Sequence, residues 1–178
     1  MMIPPIPELT SKRLLLRAPK EEDFPTYKAF YTDPHASHFY GGPMISSSAW
    51  KQLAMEVGHW VLKGYGMWSI EMLSSREMVG GCGFWWPSGW PRPELTWWLV
   101  KPAQGKGLAT EASVSAINFA YQKLNWHSVE THLNDDNEAA RKLVLRLGGS
   151  LLTRETFPDG IDRNVYSIPR TSGEEYLQ

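Results

Sequence analysis

Cysteine is nearly missing from this sequence, with Cys82 the single thiol among 178 residues. One thiol excludes an intrachain disulfide framework and any zinc site built on several cysteines. It fits a reducing, cytoplasmic compartment. Long apolar runs are missing as well. No stretch approaches the roughly 18 apolar residues of a membrane span. The N-terminal MMIPPIPELTSKR lacks the apolar segment of a signal peptide. Nor is there an excess of one charge: 18 Lys and Arg stand against 19 Asp and Glu, for a net charge of −1. That balance supplies neither a basic field for nucleic acid nor an acidic tail. Nucleic acid and membrane are therefore not expected as partners. Oligomeric state is left open by the sequence, a dimer included.

What is present is the composition of one folded domain. The chain is 42% apolar and long enough for one domain. At this size roughly two-thirds of the unfolded surface can be buried, so no structural metal or disulfide is required. Tryptophan is unusually frequent, with 9 residues.

The pattern of apolar residues predicts the element order β-α-α-β-β-β-α-β-α-β-β. Residues 1–11 read as an extended lead-in, since Pro4, Pro5 and Pro7 block regular pairing. Leu14 to Leu16 suit a buried strand. A first helix is expected from Glu21 to Tyr31, with Phe24, Tyr27, Phe30 and Tyr31 on one face. A second follows Ser46–Ser48, with Trp50, Leu53, Ala54, Val57, Trp60 and Val61 as its core stripe. Strands are expected over Met67–Leu73, Val79–Trp86 and Glu94–Val100. A helix then spans Ala109–Leu124, and its small-residue stripe (Ala109, Ala112, Ala116, Ala120) permits close packing on a sheet. A strand over Ser128–Leu133, a helix after Asn137 and a terminal hairpin complete the order. The last eight residues are expected to fray. The fold class is thus α/β: one domain over 1–178 with its core at about 9–170. A mixed, largely antiparallel sheet carries helices on both faces, and a central parallel β-α-β unit runs from Glu94 to Leu133.

Between a strand and a helix lies Gln104-Gly105-Lys106-Gly107-Leu108-Ala109-Thr110. Glycines admit close backbone approach, and a helix N-terminus offers unpaired N–H groups and positive potential. Together they suit a pyrophosphate, although a plain glycine turn would look the same. A dinucleotide-binding unit would want a third glycine where Thr110 stands. A Walker loop would need Gly-Lys-Ser/Thr, which is not there.

Gln104-x-x-Gly107-x-Ala109 resembles the Gln/Arg-x-x-Gly-x-Gly/Ala signature of the GNAT acyl-CoA N-acyltransferases. The likeness continues in Asn137-x-x-Ala140-x-x-x-Val144-x-x-Leu147-Gly148, in Arg13-Leu14-Leu15-Leu16-Arg17 and in Glu22-Asp23. It covers about residues 9–170 and is similar to the branch of ribosomal-protein N-terminal acetyltransferases. The resemblance implies acetyl-CoA as co-substrate and no metal. It implies that Gln104, Gly105, Lys106, Gly107, Leu108, Ala109 and Thr110 hold the pyrophosphate. Leu99 and Val100, at the strand edge, would meet the pantetheine arm, with one N–H polarising the thioester carbonyl. Asn137 would touch the same arm or simply cap its helix. Arg141, Lys142 and Arg146 lie on one helix and read as a solvated face, from which Arg141 could reach a phosphate.

Acetylation of an amine needs a proton acceptor. Glu94, at the start of the central strand, is the expected base; a solvated carboxylate is the plainer reading. Glu111 is read as a helix-dipole partner, and His127 and His132 as lone histidines without a role. His35 and His38 lie in a loop where the acceptor could enter. The resemblance departs at Val144 and Ala140, where many members carry a tyrosine or a serine. Neither residue can donate a proton to a leaving thiolate. Cys82 is read as inert. Trp50, Trp60 and Trp68 are expected in the core. Trp85, Trp90 and Trp97 are candidates for an aromatic acceptor pocket, with core packing as the alternative. The reading is a cytoplasmic N-acetyltransferase. Its acceptor is a primary amine on a small molecule or a protein N-terminus, attacked directly in a ternary complex. A non-catalytic acyl-CoA sensor and a Rossmann-like nucleotide binder stay as rivals.

Overall fold

A computed structural model describes residues 5–170. The expected fraying of the last eight residues therefore lies outside the described residues. Two short strands, β1 (Leu9–Thr10) and β2 (Leu14–Arg17), open the chain. A 3₁₀ turn at Glu21–Asp23 leads into α1 (Phe24–Tyr31), and α2 follows at Ser46–Lys63. Three strands come next: β3 (Met67–Met72), β4 (Met78–Trp85) and β5 (Glu94–Leu99). Then come α3 (Leu108–Gln122), β6 (Val129–Leu133), α4 (Glu138–Arg146), β7 (Ser150–Thr156) and β8 (Asp162–Ile168). The order agrees with the sequence reading except that part of the lead-in is a strand. Pairing begins just beyond Pro7, where Leu9 meets Leu16.

The sheet departs from expectation. The ladders form two separate sheets, β1-β2-β3-β4-β5 and β6-β8-β7, and every pairing within them is antiparallel. β5 and β6, expected as a parallel pair, lie against one another without a ladder. Side chains take the place of ladder bonds there: the Thr131 hydroxyl donates to the Leu95 carbonyl at 2.8 Å.

Helices do cover both faces. On one face α1 and α2 pack over Trp98, whose ring sits 4.9, 4.6 and 5.6 Å from those of Tyr27, Phe30 and Tyr31. A side chain at Gly81 would place its Cβ 2.5 Å from the Trp98 indole nitrogen, so only glycine lets the indole lie there. On the other face α3 lies on β4 and β5. Its Ala112, Ala116 and Ala120 are fully buried, which is what the small-residue stripe implied.

The expected core stripe of α2 holds for Leu53 and Trp60, which are buried, whereas Trp50, Ala54, Val57 and Val61 are exposed, and Ala49 and Glu56 are buried in their place. Two polar residues of α2, Glu56 and His59, turn inward because each finds buried partners. His59 Nδ1–H meets the Tyr65 carbonyl at 2.7 Å, and its Nε2 accepts the Trp86 N–H at 3.0 Å. Trp60 and Trp68 are core, as expected.

Buried ion pairs fix the strand entrances. Arg17 bonds Asp23 at 2.9 and 2.7 Å and Glu71 at 2.5 Å. Burial alone would raise the Asp23 carboxyl, yet bonds from Arg17 and Ser69 hold it below the usual range. Glu111 is more than a dipole partner. Fully buried, it accepts from the Ser11 hydroxyl and the Arg13 N–H, each at 2.7 Å, and from Arg13 Nε at 2.7 Å. Glu111→Ala takes the acceptor from the Arg13 N–H and Nε and leaves the buried Ser11 hydroxyl only the Leu14 carbonyl at 3.4 Å, and is expected to destabilise the fold by about 2–4 kcal/mol. Urea denaturation measures this; a loss below 1 kcal/mol would show the anchor to be dispensable.

Candidate active site

The gap between β5 and β6 opens into a cleft of about 330 Å³. The Val100 N–H is bound to the Val79 carbonyl, so the even-numbered residues of β5 face β4. The backbone groups of Leu95, Trp97 and Leu99 therefore face away, toward the gap. Side chains cap their carbonyls: Thr131 on Leu95, Tyr40 on Trp97, and Gln104 Nε2 on Leu99 at 2.9 Å. The N–H groups of Trp97 and Leu99 point the same way. Of the two expected edge residues, Leu99 offers its N–H to the gap, whereas the Val100 N–H is committed to the sheet.

Glu94 starts β5 and pairs with His132 of β6, Oε2 to Nε2 at 2.5 Å, with both side chains largely buried. In the sequence His132 reads as a lone histidine. Its role depends on two strands meeting, and no local signal in the sequence shows that. The His132 ring lies 4.1 Å from Phe157 and 5.9 Å from Trp90. His35 and His38, by contrast, are outside the cleft; the exposed His38 lies 3.8 Å from Asp136.

All three candidate acceptor tryptophans, Trp85, Trp90 and Trp97, line the cleft, and Trp98 joins them. Trp85 stacks on His59 at 4.8 Å. Phe39, Tyr40 and Gly41 bring in the loop after α1. The Tyr40 hydroxyl is pushed above its usual range by burial and by the nearby Glu94, so it stays protonated at neutral pH.

The glycine loop lies at the exposed start of α3. Gly105 and Gly107 have φ of +72° and +76°, a left-handed backbone that favours glycine. Leu108, Ala109 and Thr110 form the first turn, whose N–H groups have no partner within the helix. Cationic side chains surround this loop. Arg13 bonds the Lys106 carbonyl at 3.0 Å, and Arg146 of α4 reaches the Thr110 hydroxyl at 3.2 Å. Arg141, the expected phosphate contact, is instead held by Glu138 at 2.9 and 2.7 Å. Farther along α4, Arg146 is the guanidinium that reaches the start of α3. The Asn137 side chain caps α4 through the Ala140 N–H at 3.2 Å and also lines the cleft. These residues suit an anionic, extended cofactor: free N–H groups and cations at the loop, then open strand amides beyond it.

The model for the acetyltransferase (GNAT) domain matches residues 13–150. The chain belongs to the GNAT acetyltransferase family. It is 29% identical to the acetyltransferase of Agrobacterium tumefaciens, whose crystal structure superposes with a TM-score of 0.85 over 95% of this chain and 98% of that one. It is 24% identical to the uncharacterized N-acetyltransferase YoaA of Bacillus subtilis, over 91% of this chain and 96% of that protein. At 17% identity it shares the fold, with a TM-score of 0.72, of RimL, a ribosomal acetyltransferase solved in complex with coenzyme A. That alignment covers 92% of this chain and 99% of RimL. Among the described residues of this GNAT chain, no group of three or more His, Cys, Asp or Glu side chains could hold a metal ion. Cys82 is buried, and burial pushes its thiol up to about 12.

Glu56, on α2, also lines the cleft. It is 1% exposed, accepts the Tyr27 hydroxyl at 2.5 Å and the Gln52 amide at 3.1 Å, and faces Tyr31. Burial pushes its carboxyl up to about 7. A raised carboxyl binds its proton more tightly in the folded state. Stability from this group is therefore full at low pH and is lost as pH rises from about 4.5 through about 7. Relative to Glu56→Gln, the wild type should lose up to about 3 kcal/mol over that window. Urea unfolding curves of both proteins at pH 5, 6, 7 and 8 measure this, and parallel trends would contradict it.

Proposed function

We propose that the protein transfers an acetyl group from acetyl-CoA to a primary amine by direct attack within a ternary complex. The observation that carries this reading is the Glu94–His132 pair beside an open, cofactor-sized strand edge. Family membership and the likeness to a fold solved with coenzyme A support it. Bound acetyl-CoA supplies the acetyl group as a thioester, whose C–S bond breaks as the amine nitrogen bonds the carbonyl carbon. Residues Gly105 to Thr110, with Lys106, Arg13 and Arg146 around them, bind the pyrophosphate. The Leu99 N–H on the open edge polarises the carbonyl. Glu94, with His132 behind it, accepts the proton of the attacking amine. Val144 and Ala140 carry no proton for the departing sulfur. Tyr40, whose hydroxyl sits on the same edge at Trp97, gives its own proton to the sulfur and is reprotonated from water, while Glu94 releases the amine's proton to water. Trp85, Trp90 and Trp97 wall the acceptor side. The free, buried Cys82 agrees with action in the cytoplasm.

Gly107→Glu adds bulk and negative charge where phosphate would lie, and strains a left-handed position. It should abolish acetyl-CoA binding while the protein stays folded; calorimetry with a melting curve reads both. Unchanged affinity in a folded variant would end the loop assignment.

Glu94→Gln should lower turnover roughly 10²–10⁴-fold. The deficit should shrink at high pH, where free amine is abundant. Tyr40→Phe, assayed beside it, should lower turnover with the amine dependence unchanged. Thiol release from acetyl-CoA over a panel of amines follows both. Wild-type rates in Glu94→Gln would clear this carboxylate, and binding of acetyl-CoA with no turnover by any amine would favour a sensor.

A further inference from the structure

Carboxyl groups outnumber cations along the cleft. Glu56, Glu94 and Asp159 line it, whereas Arg163 is the one guanidinium or ammonium among its lining residues. Asp159 already holds Arg163 at 2.9 and 2.7 Å. Glu94 has His132 as its partner. Glu56 differs: its hydrogen bonds come from a phenol and an amide, both neutral. A carboxylate taken out of water without a cation is costly, and a cation brought to it gains accordingly. The surroundings favour such a guest. Tyr31 and Trp98 line the same cleft, and aromatic faces attract cations.

We propose that the acceptor is a small dicationic amine, a diamine with amines at both ends. Its non-reacting ammonium is received by Glu56 beside Tyr31 and Trp98, which line the same cleft, while its other amine stands at Glu94 and His132. The proposal rests on the N-acetyltransferase reading and narrows its acceptor. A cleft of about 330 Å³ is near the lower bound for small-molecule sites, which suits a short flexible chain. The two carboxyl sites have separate tasks. Glu94 must be free to take a proton, so it is matched within the chain. Glu56 takes no part in the transfer and is matched by the ligand. Near neutral pH the Glu56 carboxyl is partly protonated, and an arriving ammonium displaces that proton. Tyr27 and Tyr31 face it from α1, and burial keeps both phenols neutral. Glu56 is thus the titrating group in this part of the cleft.

Calorimetric titration of the protein, with and without CoA, tests this. The terminal diamines of butane, pentane and hexane are compared with butylamine, pentylamine and hexylamine. The best diamine should bind about tenfold more tightly than its monoamine. Glu56→Gln should reduce that advantage to less than about twofold, with a melting curve as the folding control. At pH 7, buffers of differing ionisation enthalpy should register proton release on diamine binding to the wild type and not to the variant. Equal affinity for diamine and monoamine in the wild type overturns the proposal, whatever the variant does. So does a diamine preference that survives Glu56→Gln, or preference for an uncharged peptide amine. Turnover is scored separately. If no amine releases thiol from acetyl-CoA, the transferase reading fails, and the titration still decides the Glu56 site.

Discussion

The outer edge of β5 is the constraint on which the rest of the site depends. An unpaired strand edge exposes N–H and C=O groups that invite another strand. Here the edge is neither paired nor hidden. Its carbonyls are capped one by one, by Thr131, Tyr40 and Gln104, each from a different element. Capping the acceptors with side chains leaves the donors of the same residues facing the gap. The edge is thereby turned from a general template for strands into a row of donors, which an extended ligand rich in carbonyls can use. The Glu94–His132 pair lies at one end of that row and the glycine loop beyond the other.

The loop is held in place from beneath. Glu111 fixes Arg13 by its backbone and its Nε, and Arg13 in turn binds the Lys106 carbonyl. One buried carboxylate therefore couples the entry to β2, the first turn of α3 and the middle of the loop. A guanidinium turned by a buried partner loses little further freedom when an anion arrives.

Much of this was legible in the sequence, for identifiable reasons. Glycines before a helix and the alanine stripe of α3 are local patterns with local causes, and the elements followed them. What could not be read depended on distant partners. The phase of α2 follows its polar residues, because Glu56 and His59 are satisfied by Tyr27, Gln52, Tyr65 and Trp86. His132 gains meaning only opposite Glu94, 38 positions away, counting from 94 to 132. Arg141 is paired with Glu138 one turn before it, while Arg146 reaches Thr110 at the start of α3. The expected parallel ladder between β5 and β6 failed for a like reason: the side chains that cap the gap come from three separate segments.

The width of the cleft is set by charge at its outer end. The Pro-rich loop 87–93 carries Arg92, which binds Glu130 of β6 at 2.7 Å and Glu155 of β7. A loop attached to the first sheet is thus anchored on the second, across the gap. Trp90, in that loop, rests on His132 and on Phe157 at 5.5 Å, so the same anchor presses an indole over the Glu94–His132 pair. Under the proposed function, rigid strands hold the Glu94–His132 pair at fixed separation, while the loops at 33–45 and 87–93 form the walls that an acceptor would pass. In that division of labour, changes in the loops would alter which amine is admitted, and changes in the strand edge would alter whether anything is transferred at all.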